Sequence, residues 1–284
     1  MKIAAHRLLI KNPKETLDFY QNALGMKLIK HGEVEGRTHY YLSYNSKQAT
    51  LELIHSLGIE FTVSTQPSVT EGYWKFTIAV DDLDSSRDQL IKRGVSVESS
   101  FEVKELAYLC HLTDPNGYCI ELVQKTNKTP LSTNVFHSGH SNSLNLSTLR
   151  VKDAAQSLNF YRSIGMDLAY TYRSDERKMT LYFLAPAELN KELNALSKIN
   201  LEERLWQSSH TLLELQQLDK VKGGADIPYH VGYETGFLGL DLAYKPSEFS
   251  MVCEELSSQQ QTNCDGQYVE LTDPDGYKIR ILST

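Results

Sequence analysis

NPKETLDFYQNALGM (residues 12–26) returns as DAAQSLNFYRSIGM (153–166), and LTDPNGYCIEL (112–122) returns as LTDPDGYKIRI (271–281). A chain that repeats itself in this way folds as copies of one unit, which excludes most single-core architectures of its length. The offsets between the copies are uneven. Phe19 to Phe160 spans 141 residues, Glu52 to Glu214 spans 162 and Asp114 to Asp273 spans 159, so the second copy carries an insertion of about 20 residues at Leu189–Trp206. The charged, Leu-spaced composition of that insertion predicts an extra surface helix and loop.

A smaller unit recurs inside each copy: a strand, a capped helix, then three short strands. Asn12-Pro13-Lys14-Glu15 supplies an N-cap, a proline at the first helical position and an acidic residue behind it; Leu17, Tyr20 and Leu24 then share a face before Gly25. Asp153 with Gln156 repeats the signature ahead of Leu158, Tyr161 and Gly165. A third helix follows Asp82, with Leu83, Leu90 and Ile91 apolar and Gly94 as its stop, and a fourth follows Ser247. The expected fold is α+β: four βαβββ modules near residues 1–57, 70–125, 142–218 and 236–284, curled into two cupped eight-stranded mixed sheets. The first copy is placed at 1–125 and the second at 142–284. The Ser/Thr/Asn-rich stretch Lys125–Ser143, centred on 126–141, reads as the linker.

Composition narrows the partners. Over 284 residues, 29 Lys and Arg face 36 Asp and Glu, neither sign gathers into a block, and the net charge is -7, so nucleic acid is not expected. Cys110, Cys119, Cys253 and Cys264 form no CxxC pair and read as reduced thiols. No apolar run approaches the length of a membrane span, and the expected address is the cytoplasm, as a monomer or homodimer.

The run from N/D-P-x-x-[ST]-L-[DN]-F-Y through L-G-M, then A-T-L-E-L-x-H, then D-P-[ND]-G-Y-x-I-E, resembles the vicinal-oxygen-chelate superfamily, and glyoxalase I most. That resemblance covers nearly the whole chain. It implies cups that each hold a divalent metal, zinc or nickel, through His or Gln and Glu side chains, the metal polarising oxygens of a substrate while a Glu moves a proton. Carried over position by position, Glu52 and Glu214 match the first Glu and Glu121 matches the last. Arg280 stands where the second copy should have that last Glu. Lys75 and Gly239 stand at the strand-five His, and Ala5 and Leu146 at the first-strand ligand. His6 lies one residue from that ligand position, and strand alternation turns it away from the cup; only a bulge would bring it in.

An ammonium has no lone pair and a guanidinium is permanently charged, so the metal sites look dismantled, with Lys75 and Arg280 in place of the ion's charge and no cofactor expected. If modules exchange between copies, one cup gathers Glu214, Lys75 and Glu121, and the other Glu52 and Arg280. If neighbours pair, the sets are Glu52, Lys75 and Glu121, and Glu214 with Arg280. Arg150 matches the arginine that glyoxalase I uses for glutathione; the accompanying Asn is Ser56 or Leu218, which weakens that specificity. Arg7, Arg150 and Lys278 face a cup by parity and suit a small anionic molecule. The expected function is a divergent glyoxalase-like protein binding or transforming such a molecule, with Glu121 and Glu214 as proton carriers. The alternatives are an active metal-dependent lactoylglutathione lyase using His6, and a non-catalytic binding protein. Cys119, the pair His137 and His140, and the turn Lys222-Gly223-Gly224 are weaker candidates. The aromatic residues Tyr40, Tyr41, Tyr44, Tyr73 and Trp74 read as sheet packing.

Overall fold

A computed structural model describes residues 1–63, 71–126, 142–190, 201–219, 229–258 and 268–284. The first module runs β1 (Lys2–Ile10), α1 (Pro13–Asp18, continuing as a π-helical turn Phe19–Ala23), β2 (Lys27–Val34), β3 (Arg37–Ser43) and β4 (Thr50–His55). The second runs β5 (Tyr73–Val80), α2 (Leu83–Lys92), β6 (Phe101–Val103), β7 (Ala107–Thr113) and β8 (Cys119–Gln124). The third runs β9 (Ser143–Arg150), α3 (Ala154–Ser163), β10 (Met166–Ser174), β11 (Met179–Pro186), the inserted α4 (Leu201–Trp206) and β12 (Leu212–Leu218). The fourth runs β13 (Phe237–Tyr244), α5 (Pro246–Ser258), β14 (Tyr268–Thr272) and β15 (Lys278–Ser283).

The caps form as the sequence predicts. Asn12 accepts a hydrogen bond from the Glu15 amide, Asp82 from Ser85, and Asp153 from Ala155 and Gln156. Each satisfies a donor that the first helical turn would otherwise leave unpaired. Leu83 and Leu90 are buried under α2, but Ile91 is 44% exposed, one position off the packed face.

Modules exchange between the copies. One sheet has the order β14-β15-β13-β1-β4-β3-β2 and joins the first module to the fourth; the other has the order β10-β11-β12-β9-β5-β8-β7-β6 and joins the third to the second. The sheets have 7 and 8 strands, and the position matching β6 in the smaller one falls on residues 260–262, outside the described residues. In both sheets the modules meet through an antiparallel pair, β1 with β13 and β5 with β9.

Equivalent residues of the two copies meet where the sheets pack together. His6 Nδ1 lies 2.7 Å from Ser147 Oγ, its counterpart at the 141-residue offset. Tyr73 stacks on its counterpart Phe237 with ring centroids 4.3 Å apart, and the Ala49 amide donates to Oγ1 of its counterpart Thr211 at 2.9 Å. A local two-fold relation therefore passes between the sheets. The two recurring motifs lock it: Tyr20 donates to Asp114 and Tyr161 to Asp273, while each of these aspartates also accepts from two amides of its own D-P-x-G-Y turn. The main core fills the space between the helices and the two sheets, and a second apolar cluster lines the concave face of the eight-stranded sheet.

That second cluster corrects the expectation of a surface insertion. Leu205 and Trp206 of α4 are buried; Trp206 meets Phe183 edge-on at 5.9 Å and donates from Nε1 to the Leu106 carbonyl at 2.8 Å. Leu205 and Trp206 fill one side of the larger cup. His137, His140 and Lys222-Gly223-Gly224 lie outside the described residues.

Candidate functional site

The exchange of modules decides which polar side chains meet. In the eight-stranded cup, β5 brings Lys75 and Thr77, β8 brings Glu121, β12 brings Glu214 and β9 brings Thr148. Parallel pairing sets Thr77 against Glu121 and Glu214 against Thr148, so the residues lie side by side on the concave face. Lys75 Nζ donates to Glu121 Oε1 at 2.9 Å and to Thr148 Oγ1 at 3.2 Å, and stands 3.9 Å from Glu214 Oε1. Thr77 also donates to Glu121, at 2.9 Å. All of these side chains are buried.

The electrostatics follow from that geometry. Burial favours a neutral Lys75, but Glu121 and Glu214 outweigh it and keep the ammonium charged. Burial alone would raise Glu121; Lys75 and His111 reverse this and hold its carboxyl down at about 2. Glu214 is the poorly served partner. Burial raises it, the more distant Lys75 only partly offsets that, and the Glu121 charge adds to the rise, so it titrates at about 7. The cup thus holds one carboxylate fixed as an anion and another poised near neutrality.

Sequence reasoning missed His111, whose Nε2 lies 3.2 Å from Glu121 Oε2 while Nδ1 points to the exposed Glu98 at 3.8 Å. A signal for it existed: a hairpin turning at D-P-N-G puts His111 directly opposite Glu121, as the strand register records. Trp74 was read as sheet packing, yet it carries Lys75 and Arg150 over its ring at 5.2 and 5.1 Å. A register shift between Tyr73 and Lys75 in the β5–β9 pairing interrupts the strict alternation of side chains there. Arg150 also donates to Gln216 Oε1 at 3.0 Å and to the Glu71 carbonyl at 3.2 Å. Burial pushes the Cys119 thiol up to about 12, which disfavours the thiolate that a nucleophile needs.

The seven-stranded cup holds a different set at the matching positions. Arg280 replaces Glu121 and makes a bidentate pair with Asp241 at 2.7 and 2.6 Å, Asp241 standing where the other cup has Thr77. Arg280 also reaches Glu52 at 3.4 Å, and Arg7 donates to the same carboxylate at 3.2 Å from the position of Thr148. His39 Nδ1 is 2.7 Å from the other Glu52 oxygen. Burial would raise Glu52, but His39, Arg7 and Arg280 together leave it below the usual carboxylate range. Two guanidinium groups therefore balance two carboxylates. Asp241 was not singled out from the sequence, although it follows Gly239 by two residues as Thr77 follows Lys75.

His6 stands on the opposite face of β1 from Arg7, in contact with Ser147, Tyr73, Phe76 and Phe237, and burial pushes its imidazole down to about 3. It belongs to the packing between the sheets and reaches neither cup.

Three βαβββ modules and a fourth described as βαββ, in cupped sheets of 7 and 8 strands with paired polar clusters on the concave faces, define a protein of the vicinal-oxygen-chelate class. The chain belongs to the Glyoxalase/Bleomycin resistance protein/Dioxygenase superfamily, whose profile matches residues 2–122. It is similar to the lactoylglutathione lyase of Schizosaccharomyces pombe, at 27% identity over 63% of this chain and 65% of the relative. A lactoylglutathione lyase of Neisseria meningitidis is 31% identical over 44% of this chain and 91% of its own length. Against the S. pombe protein and the glyoxalase I of Saccharomyces cerevisiae, the chain spans 65% and 60% of the relatives' length. Among solved structures, glyoxalase I of Zea mays superposes with a TM-score of 0.72 at 19% identity, covering 99% of this chain and 92% of that one. A putative dioxygenase of Bacillus subtilis superposes with a TM-score of 0.61 at 12% identity, covering 100% of this chain and 85% of that one.

Proposed function

We propose that this chain is a metal-independent member of the superfamily whose eight-stranded cup binds and transforms a small anionic molecule. The carrying observation is the Lys75 ammonium, 2.9 Å from Glu121 and 3.9 Å from Glu214. A divalent ion held by those carboxylates would be forced against a fixed positive charge, so this donor set does not fit the metal that glyoxalase relatives imply. In the other cup Arg280 and Arg7 already neutralise Glu52 and Asp241, and that set does not fit one either. Among the described residues no group of three or more His, Cys, Asp or Glu side chains is arranged to hold a metal ion.

The chain's own groups supply a proton carrier and a charge to stabilise an oxyanion. Glu214, titrating at about 7, can take a proton from a carbon beside a carbonyl; the C–H electron pair then moves onto the carbonyl oxygen. Lys75 is positioned to stabilise the negative charge that develops there, in a buried setting where such an interaction is stronger than in water. Glu121 keeps the ammonium in place and stays ionised. Arg150, stacked on Trp74, is the group we assign to the anionic end of the ligand.

Elemental analysis after incubation with zinc, nickel or iron and desalting tests the reading. Wild type should retain no stoichiometric metal. Lys75→His, which exchanges the ammonium for an imidazole lone pair between Glu121 and Glu214, should retain about one zinc ion per chain. One tightly held metal per wild-type chain would overturn the proposal and favour the lactoylglutathione lyase activity for which the yeast and bacterial relatives are named.

A further inference from the structure

We propose that the seven-stranded cup carries a second binding site, built around Arg7, for a small monocarboxylate with an apolar body. Arg7 is 9% exposed. It donates from Nε to Glu52 at 3.2 Å and from Nη1 to the Leu238 carbonyl at 3.2 Å, and among the described residues it makes no other hydrogen bond. A guanidinium has five N–H donors; Glu52 and the Leu238 carbonyl take two of them, and among the described residues no Arg7 nitrogen is a sealed, unpaired atom, so the Nη2 end opens toward water. A ligand carboxylate can replace that water.

The space for one lies beside them. Arg7 lines a cavity of about 220 Å³ together with Val231, Phe237, Leu238, Tyr277 and Lys278. At about 30 Å³ per water molecule this is room for roughly seven waters, or for a molecule the size of benzoate. The remaining edge of the Arg7 fork suits the two oxygens of a carboxylate, and Phe237, Leu238 and Val231 supply an apolar wall for the rest of the ligand.

Charge selects among anions. On the cup side Arg7 and Arg280 are already matched by Glu52 and Asp241. At the rim Lys278 Nζ is 3.3 Å from Glu270 Oε1 and donates to Thr272 at 2.9 Å, so Lys278 arrives with its own counter-ion. Glu270 also lines the cavity. A second negative charge on the ligand would face that carboxylate, which favours a monocarboxylate over a dicarboxylate or phosphate. The larger cup has no equivalent, because Thr148 stands at the Arg7 position and His111 at that of Glu270. The site is therefore independent of the Lys75 chemistry.

Titration calorimetry of the full chain with benzoate tests this. Saturable one-to-one binding is expected. Phthalate and inorganic phosphate should bind at least about tenfold more weakly, and Arg7→Lys, which keeps the charge but loses the planar fork, should cost about tenfold. Leu238→Trp, which fills the cavity without touching an ion pair, should abolish binding; circular dichroism confirms that each variant is folded. Lys75→Met should leave benzoate affinity unchanged, so failure of the Lys75 reading does not touch this one. Absence of benzoate binding, equal binding of phosphate or phthalate, or unaltered affinity in both Arg7→Lys and Leu238→Trp would each overturn the proposal.

Discussion

Glu214→Gln isolates the carboxylate of the eight-stranded cup that Lys75 serves only at 3.9 Å. In the folded chain burial lifts this carboxyl from its ordinary 4.5 to about 7. The folded state therefore holds the proton more tightly than the unfolded state does. The resulting stabilisation is complete below pH 4.5 and is lost as pH rises through about 7. At about 1.4 kcal/mol per decade, that interval is worth roughly 3 kcal/mol. Glutamine does not ionise and keeps an oxygen for Thr148, so the variant lacks this loss. Glu121, held at about 2, gains its stability above its ordinary 4.5 and loses it as pH falls toward 2; it is ionised in the folded state throughout pH 5–8.5 and adds no pH dependence to the comparison there. Urea unfolding of both chains at pH 5, 6.5 and 8.5 should show the variant improving on wild type by roughly 2.5 kcal/mol across the series, since part of the loss has already occurred at pH 5, and exceeding it at pH 8.5. A difference that does not change with pH, or a variant less stable at pH 8.5 than at pH 5 relative to wild type, would refute the assignment of Glu214 as the poorly compensated acid.

Arg280→Leu should destabilise the fold by about 2–3 kcal/mol in chemical denaturation, because Glu52 and Asp241 lose a shared half-buried cation while Arg7 remains beside them. The double variant Arg280→Leu, Asp241→Leu should recover much of that loss, and equal destabilisation of single and double variants would argue against an ion network. Trp206→Ala should cost about 3–5 kcal/mol and lower the midpoint of thermal unfolding, since it removes the edge-on contact with Phe183 and the donor to the Leu106 carbonyl. An unchanged midpoint would mean that α4 is not part of the core.

The local layers of this fold were legible because their signals are local. Asn12, Asp82 and Asp153 cap helices through atoms two or three residues away, and the D-P-x-G-Y turns close on their own aspartates. The pairing of modules was not legible, because either pairing buries the same apolar faces and leaves the same cations among carboxylates. It is set by the antiparallel contacts of β1 with β13 and of β5 with β9, whose partners are over 60 residues apart. The site divided along the same line. Glu52, Lys75, Glu121, Glu214 and Arg280 were reached through the resemblance to the glyoxalase pattern, carried over position by position. His111 and Asp241 were missed because they occupy positions that ordinary members of the pattern do not mark. Trp206 was misplaced because its partner, Phe183, sits on a distant strand that the helix composition cannot reveal.

The exchange of modules has a consequence for how this polypeptide can be divided. The ladders that close each cup run between the halves of the chain, so the sequence repeat and the folded unit do not coincide. In oligomer terms the molecule is a swapped dimer with its two subunits covalently joined. Fragments 1–126 and 142–284, produced separately, would complement one another as a heterodimer. Either fragment alone would expose the edge of β1 and β5, or of β9 and β13, and would have to recruit a second copy of itself to cover them.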